Sequence, residues 1–237
     1  MISPLLSDPV VEPEGDRCLM LRYGTQLDAR VSARCLATAQ LIEHANLPGV
    51  FDVVPSFTTV AVHYQPSAFP RDPYETLAAA VLALLEPAAA APGFEPRTIR
   101  VPVCYDDVFA MDLEYVSDTC HLTKQEVISL HTSDRVSVFA LGFAPGMPYI
   151  GVHHGKLDLP RRATPRTDVP GGSVAIANRQ SVIYPYTSPG GWHVIGAMPM
   201  PLFDPGKPPY SFLLPGDIVR FTPVSRSEFE TLRQDHS

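Results

Sequence analysis

Three arginines crowd one proline-bracketed stretch, Pro160-Arg161-Arg162-Ala163-Thr164-Pro165-Arg166, and a fourth, Arg179, follows the next apolar run. A guanidinium presents a planar fork of donors that matches the oxygens of a carboxylate, carboxyphosphate or phosphate. The same residues would serve equally well as solvated loop cations or in surface ion pairs, which are worth little singly. Only three lysines occur, Lys124, Lys156 and Lys207, so an amine nucleophile has few candidates. Two turns, Pro170-Gly171-Gly172-Ser173 and Ser188-Pro189-Gly190-Gly191-Trp192, pair glycines beside an apolar run. Their bare amides could line an anion nest, or the turns could simply be tight hairpin connections. Phe143-Ala144-Pro145-Gly146-Met147-Pro148-Tyr149 offers either the apolar wall of a pocket or ordinary packing.

The histidines divide in the same way. His193, set between Trp192 and Val194, has the residue type for acid/base work near neutrality, and equally reads as a satisfied strand histidine. In His153-His154 the two side chains of an extended segment point to opposite faces, and no acidic or cysteine partner has ligand spacing, so no metal site is expected. Gly172-Ser173 lacks the second serine or lysine that covalent acyl chemistry needs as its base. Neither GxSxG, GxxxxGK[ST] nor GxGxxG occurs. From its residues alone the chain reads as an anion-binding β-domain without a self-evident catalytic engine.

Composition narrows the class. With 237 residues, 45% hydrophobic and 18% charged, the chain can bury real cores, and its length predicts two domains. A net charge of −7 argues against a nucleic-acid partner, whose phosphates need a basic surface. The first 17 residues show no signal-peptide pattern and read as a short tail, and the alanine-rich run at 77–91 is too short to span a membrane, so a cytoplasmic location is expected. Cys18, Cys35, Cys104 and Cys120 form no CxxC pair and are expected as reduced, mostly buried thiols.

These residues need a scaffold. Cys18 to Tyr23 reads as a strand, 27–46 as a helix stopped at Leu47-Pro48-Gly49, and Val50 to Val54 with Thr58 to Tyr64 as a hairpin turning at Pro55-Ser56. Asp72-Pro73-Tyr74-Glu75 opens a helix to about Glu86, and Thr98 to Cys104 closes a small α+β sandwich, with a loop at 87–97. Helices are predicted over 106–119 and 123–131, the second opened by the capping box Thr123 to Glu126. Beyond Val136 short apolar runs alternate with turn clusters, which predicts a barrel-like second domain.

Several segments of the second half, GFAPGMPYIG, LPRRATPRTDVPGGSVAIA, IYPYTSPGGWHVIG and LLPGDIVRFTP, closely resemble the KipI/PxpB family, whose members are named as the B subunit of 5-oxoprolinase or as allophanate hydrolase subunit 1. IRVPVCY and EVISLHTS extend the likeness over nearly the whole chain. The resemblance implies an α+β fold: a small α/β domain over 1–97, like carboxyltransferase subdomain C, then a cyclophilin-like β-barrel over 98–237, like subdomain D. It implies a hydrolase component that opens 5-oxo-L-proline to L-glutamate with ATP, inactive without its partners, a homologue of the C subunit and a lactam-hydrolysing A subunit. The ATP site lies in this chain or at a partner interface. The same resemblance admits a carboxyltransferase-related protein that handles urea-type amides, or a nonenzymatic histidine-kinase inhibitor. Carried onto this sequence, it makes Arg162 and Arg166 oxyanion binders, with Gln180 and Tyr184 as neutral hydrogen-bonding groups. Phe143, Pro145, Gly146, Gly190, Gly191, Trp192 and His193 would shape the substrate pocket.

Overall fold

A computed structural model describes residues 8–85 and 96–235, and the chain divides into two compact units, 1–95 and 96–237. In the first, strands β1 (Val10–Pro13), β2 (Cys18–Arg22), β3 (Val50–Ser56) and β4 (Thr59–Tyr64) form an antiparallel sheet in the order β1-β2-β4-β3. Helices α1 (Ala29–Ala45) and α2 (Pro73–Leu85) belong to this unit. Asp28 caps α1 by accepting the Arg30 amide at 2.7 Å, and Asn46, in the left-handed region that a short polar side chain tolerates, ends it just before the expected stop. Alternation along β4 turns Val60, Val62 and Tyr64 inward, against Leu19, Leu21, Val31, Ile42, Leu77 and Val81.

Three expectations need correction here. Val10–Pro13 is a paired edge strand rather than tail, aligned residue by residue with Leu19 to Arg22. The hairpin turns at Phe57-Thr58, so Pro55 stays within β3 opposite Val60. Thr98 to Val103 closes nothing in this unit; it is β5 of the second. Glu86 and most of the 87–97 loop lie outside the described residues.

The second unit is built on β5 (Thr98–Val103), β6 (Val136–Leu141), β7 (Pro148–Gly151), β9 (Ser173–Ala177), β10 (Gln180–Ile183), β12 (His193–Ala197) and β13 (Ile218–Pro223). The sheet order is β12-β9-β10-β7-β6-β13-β5, and β5 lies parallel to β13. The sheet curls until Cys104, one residue past β5, exchanges both backbone hydrogen bonds with Ala197 at the end of β12, each 2.9 Å. A small ribbon of β8 (Arg166–Val169) and β11 (Ser188–Gly190) lies apart from this sheet. The fold class is thus the expected α+β, with a curled barrel sheet in the second unit.

Helices α3 (Leu113–Cys120) and α4 (Lys124–Ser133) bring Leu113, Val116 and Val127 into the barrel core of Val101, Val138, Ile150, Val174, Ile176, Ile195 and Val219. The Thr123 capping box forms as expected, whereas residues 106–112, read as the start of a longer helix, are turn and extended backbone. A final helix, α5 (Arg226–Asp235), buries only Phe229 and left too sparse a pattern to read. All four cysteines are free thiols, and burial pushes Cys35 up to about 12. No helix among the described residues is long and apolar enough to cross a membrane.

Within the barrel a polar chain replaces apolar packing. Tyr105 bonds His131 Nδ1 at 2.7 Å, while His131 Nε2 and His153 Nε2 meet Ser181 Oγ at 2.9 and 2.7 Å. The imidazoles stack 4.8 Å apart, and the Phe221 ring packs against both, 4.2 Å from His131 and 6.0 Å from His153 between centroids. A serine hydroxyl can donate once and accept twice, so the chain can be completed with both imidazoles neutral. Burial holds His131 well below its ordinary value, and burial with the Arg179 charge lowers His153 to about 4. Histidine in the unfolded chain titrates near 6.5, so below about pH 6.5 the unfolded state binds protons that the folded state refuses. Stability is therefore full above that pH and falls as pH drops from about 6.5 toward 4, by up to roughly 1.4 kcal/mol per pH unit for each histidine. Urea midpoints followed by Trp192 emission should be clearly lower at pH 5 than at pH 7; a flat profile that Ser181→Ala leaves unaltered would contradict this account.

Candidate functional site

The opposite face of the barrel sheet is also covered. Ala175, Ala177, Val182 and Val194 turn outward, beneath Ala144, Met147, Val169, Tyr184 and Trp192. The segments crossing this face carry most of the expected site.

At its centre lies Asp112, only 3% exposed. Its backbone and side chain both engage Val194: the Asp112 amide donates to Val194 O at 2.8 Å, and the Val194 amide donates to Asp112 Oδ2 at 2.8 Å. The carboxylate takes Arg162 Nη1 at 2.9 Å and both terminal nitrogens of Arg166 at 2.7 Å, leaving nothing to cap α3. Burial alone would raise this carboxyl, but the Arg166 and Val194 hydrogen bonds and the two arginine charges outweigh it and hold the pKa below its usual value. One negative charge shared by two guanidiniums leaves the cluster at +1. Sequence reasoning missed Asp112, since its arginine partners lie 50 and 54 residues away and no local pattern marks it.

Tyr184 is buried beside this cluster. Burial pushes its hydroxyl above the ordinary value, the Trp192 backbone amide pulls the other way, and the phenol stays protonated and able to donate at neutral pH. Gly190 is required here, because a Cβ at this position would collide with the Tyr184 hydroxyl. Trp192 meets Tyr149 edge to face, 6.2 Å between centroids, and Arg161 holds its guanidinium 5.0 Å above the indole ring. Gly191 O accepts the Arg162 amide at 2.7 Å, tying the arginine loop to the strap that carries Trp192.

The remaining expected residues are placed differently. Gln180 shares the face of Tyr184 but stands four residues away on an extended strand, about 13 Å. Phe143 and Pro145 are exposed in a turn closed by the Met147 amide on Ala144 O at 3.0 Å, with Gly146 buried in it. His193 faces the other side of β12, donating Nε2–H to Pro160 O at 2.9 Å beneath the stacked ring of Tyr115. The paired glycines at 171 and 172 make no anion nest: the Gly172 amide is spent on Tyr184 O, and its φ of +82° serves a turn packed under Met198. They line a hollow of about 420 Å³ of mixed character with Met111, Met198, Met200, Phe229 and Arg233. Among the described residues no three histidine, cysteine or acidic side chains group as metal ligands.

A curled barrel sheet following a small α/β unit, with an arginine-rich outer face, defines a module of the kind found in carboxyltransferases. The chain belongs to the family described as carboxyltransferase domain, subdomain C and D, which it matches over residues 9–213. It is 34% identical over 233 residues to the 5-oxoprolinase B subunit of Bacillus subtilis (strain 168), covering 95% of this chain and 97% of that one. The Escherichia coli O157:H7 protein of the same name is 39% identical over 181 residues, 75% of this chain and 80% of its own. Among solved structures, TTHA0988 superposes with a TM-score of 0.77 at 33% identity over 88% of this chain, which spans 40% of TTHA0988. Kluyveromyces lactis urea carboxylase shares the fold at 19% identity and a TM-score of 0.75, over 99% of this chain and 24% of its own.

Two substitutions test this geometry. Asp112→Asn strands two partly buried guanidiniums and should cost about 2–4 kcal/mol, below the fully buried case because both arginines keep some solvent. Gly190→Ala should cost about 1–3 kcal/mol by forcing the strap off Tyr184, and Gly190→Ala with Tyr184→Phe should recover part of it. Wild-type urea midpoints in both single variants would refute the arrangement.

Proposed function

We propose that this chain is the B subunit of an ATP-dependent 5-oxoprolinase, opening 5-oxo-L-proline to L-glutamate together with homologues of the A and C subunits. The observation that carries the reading is the near full-length match to a protein named as the 5-oxoprolinase B subunit, whose 97% coverage leaves little of that relative unmatched. The site is compatible with it. A lactam carbonyl is a poor electrophile, and its opening requires water to add at carbon while the C–N bond breaks and charge gathers on oxygen. The net positive charge of the Asp112 cluster is suitable for stabilising that charge. Phosphoryl transfer from ATP supplies the activation of the carbonyl. This chain offers no glycine-rich phosphate loop, and its one arginine without an ion pair in this cluster suits a single carboxylate better than a triphosphate. In this reading the nucleotide site is shared with a partner subunit, at the interface between the two.

Reconstitution with the cognate A and C subunits tests the proposal. ATP-dependent glutamate release from 5-oxoproline should require this chain and stop when it is left out. A stable three-protein complex without glutamate release, or full activity without this chain, would overturn it.

A further inference from the structure

Arg161 differs from the two arginines beside it. Arg162 and Arg166 are committed to Asp112, whereas Arg161 makes no ion pair among the described residues and lies over Trp192. Its side chain is exposed, yet its backbone is pinned on both sides. The preceding carbonyl, Pro160 O, accepts from His193 at 2.9 Å, and the following amide, Arg162 N–H, donates to Gly191 O at 2.7 Å. His193 is 3% exposed and Trp192 5%, so both supports are fixed within the unit. A guanidinium held over an indole is attracted by the ring without spending its N–H donors, which stay open for a ligand. The pinned backbone and the aromatic shelf remove much of the conformational entropy that an ordinary surface arginine loses when it binds an anion. A further feature favours an anion: the uncompensated positive charge of the neighbouring Asp112 cluster.

We infer that Arg161, laid on Trp192, is the carboxylate-recognition residue of this chain. That the carboxylate belongs to the lactam substrate rests on the proposed 5-oxoprolinase reading; the shelf itself does not. The role falls to Arg161 because Arg166 spends both terminal nitrogens and Arg162 its Nη1 on Asp112, while Arg161 carries no ion pair among the described residues. Those two act as positioning residues, holding the loop against β12 so that Arg161 can lie on the ring.

Trp192 is the chain's only tryptophan, so its emission reports directly on the shelf in the full-length protein. Titration with 5-oxoproline should give a saturable change, and 2-pyrrolidinone, the same lactam without the carboxylate, should give none. Arg161→Gln should weaken the 5-oxoproline response about tenfold or more, and Arg161→Lys should retain part of it, since an ammonium keeps the charge and loses the fork. Arg100→Gln, an exposed arginine on β5, should bind like wild type. In the reconstituted enzyme, Arg161→Gln should raise KM for 5-oxoproline by a similar factor while kcat stays within about twofold. An equal response to 2-pyrrolidinone, an unchanged affinity in Arg161→Gln, or no saturable response to any small carboxylate would overturn the inference. An Arg161-dependent response to glutarate without one to 5-oxoproline would uphold the shelf and count against the 5-oxoprolinase reading.

Discussion

The outer face of the second unit depends on one carboxylate. Asp112 arrives from the segment before α3, pairs with β12 through its own backbone, and then gathers Arg162 from a loop and Arg166 from the start of β8, outside the main barrel sheet. Without that charge the loop would carry neighbouring cations of like sign against a buried surface, which is costly unless each is paired. With it, two arginines are neutralised by half, and the loop acquires a fixed shape from which a third can work. Stability and recognition thus draw on the same group: the residue that makes the loop foldable also leaves it positively charged.

The barrel sheet is unusual in being buried on both faces along several strands. β9 and β12 are buried at every position, one set of side chains entering the barrel core and the other lying under the arginine loop and the Trp192 strap. Each face then carries its own polar exception. Inside, the Tyr105-His131-Ser181-His153 chain links buried polar groups without charge, all but His153 Nδ1 paired; outside, the Asp112 cluster links them with charge, all but Arg162 Nε paired. Such networks fix geometry because a misplaced member leaves a buried polar group unpaired.

What could be read from the sequence follows from this construction. Short runs such as SVAIA and HVIGA announced strands but not their faces, since burial on both sides erases the alternation that would tell them apart. Local chemistry was legible: the capping box of α4, the start of α2 at Pro73, and the arginine loop with its neighbouring tryptophan. Relations across distance were not. Nothing near Asp112 marks it as the partner of arginines half a hundred residues on, and the arginines it claims looked, by type and spacing, like the free ones. Thr98 to Val103 read as the end of the first unit because its parallel neighbour, β13, comes near the end of the chain. His193 had the right residue type for acid/base work, but only the fold shows its ring turned to Pro160.

The closure of the barrel also bears on how the chain is made. The pairings of the first unit's sheet lie between Val10 and Tyr64, so they can form while the chain is still emerging. The second unit has no such freedom. Its opening strand finds its ladder partner only in β13, and the ion pair that secures this junction, Arg97 with the buried Asp217, joins residues 120 apart. Until about residue 223 has been synthesised, β5 waits with an unpaired edge, and the Cys104–Ala197 bridge closes a strip still lacking its neighbour. A contact so distant along the chain slows folding and lengthens the exposure of strand edges to other chains. The nascent second unit is therefore the part of this protein with most to gain from a chaperone, or from early engagement by whatever it assembles with.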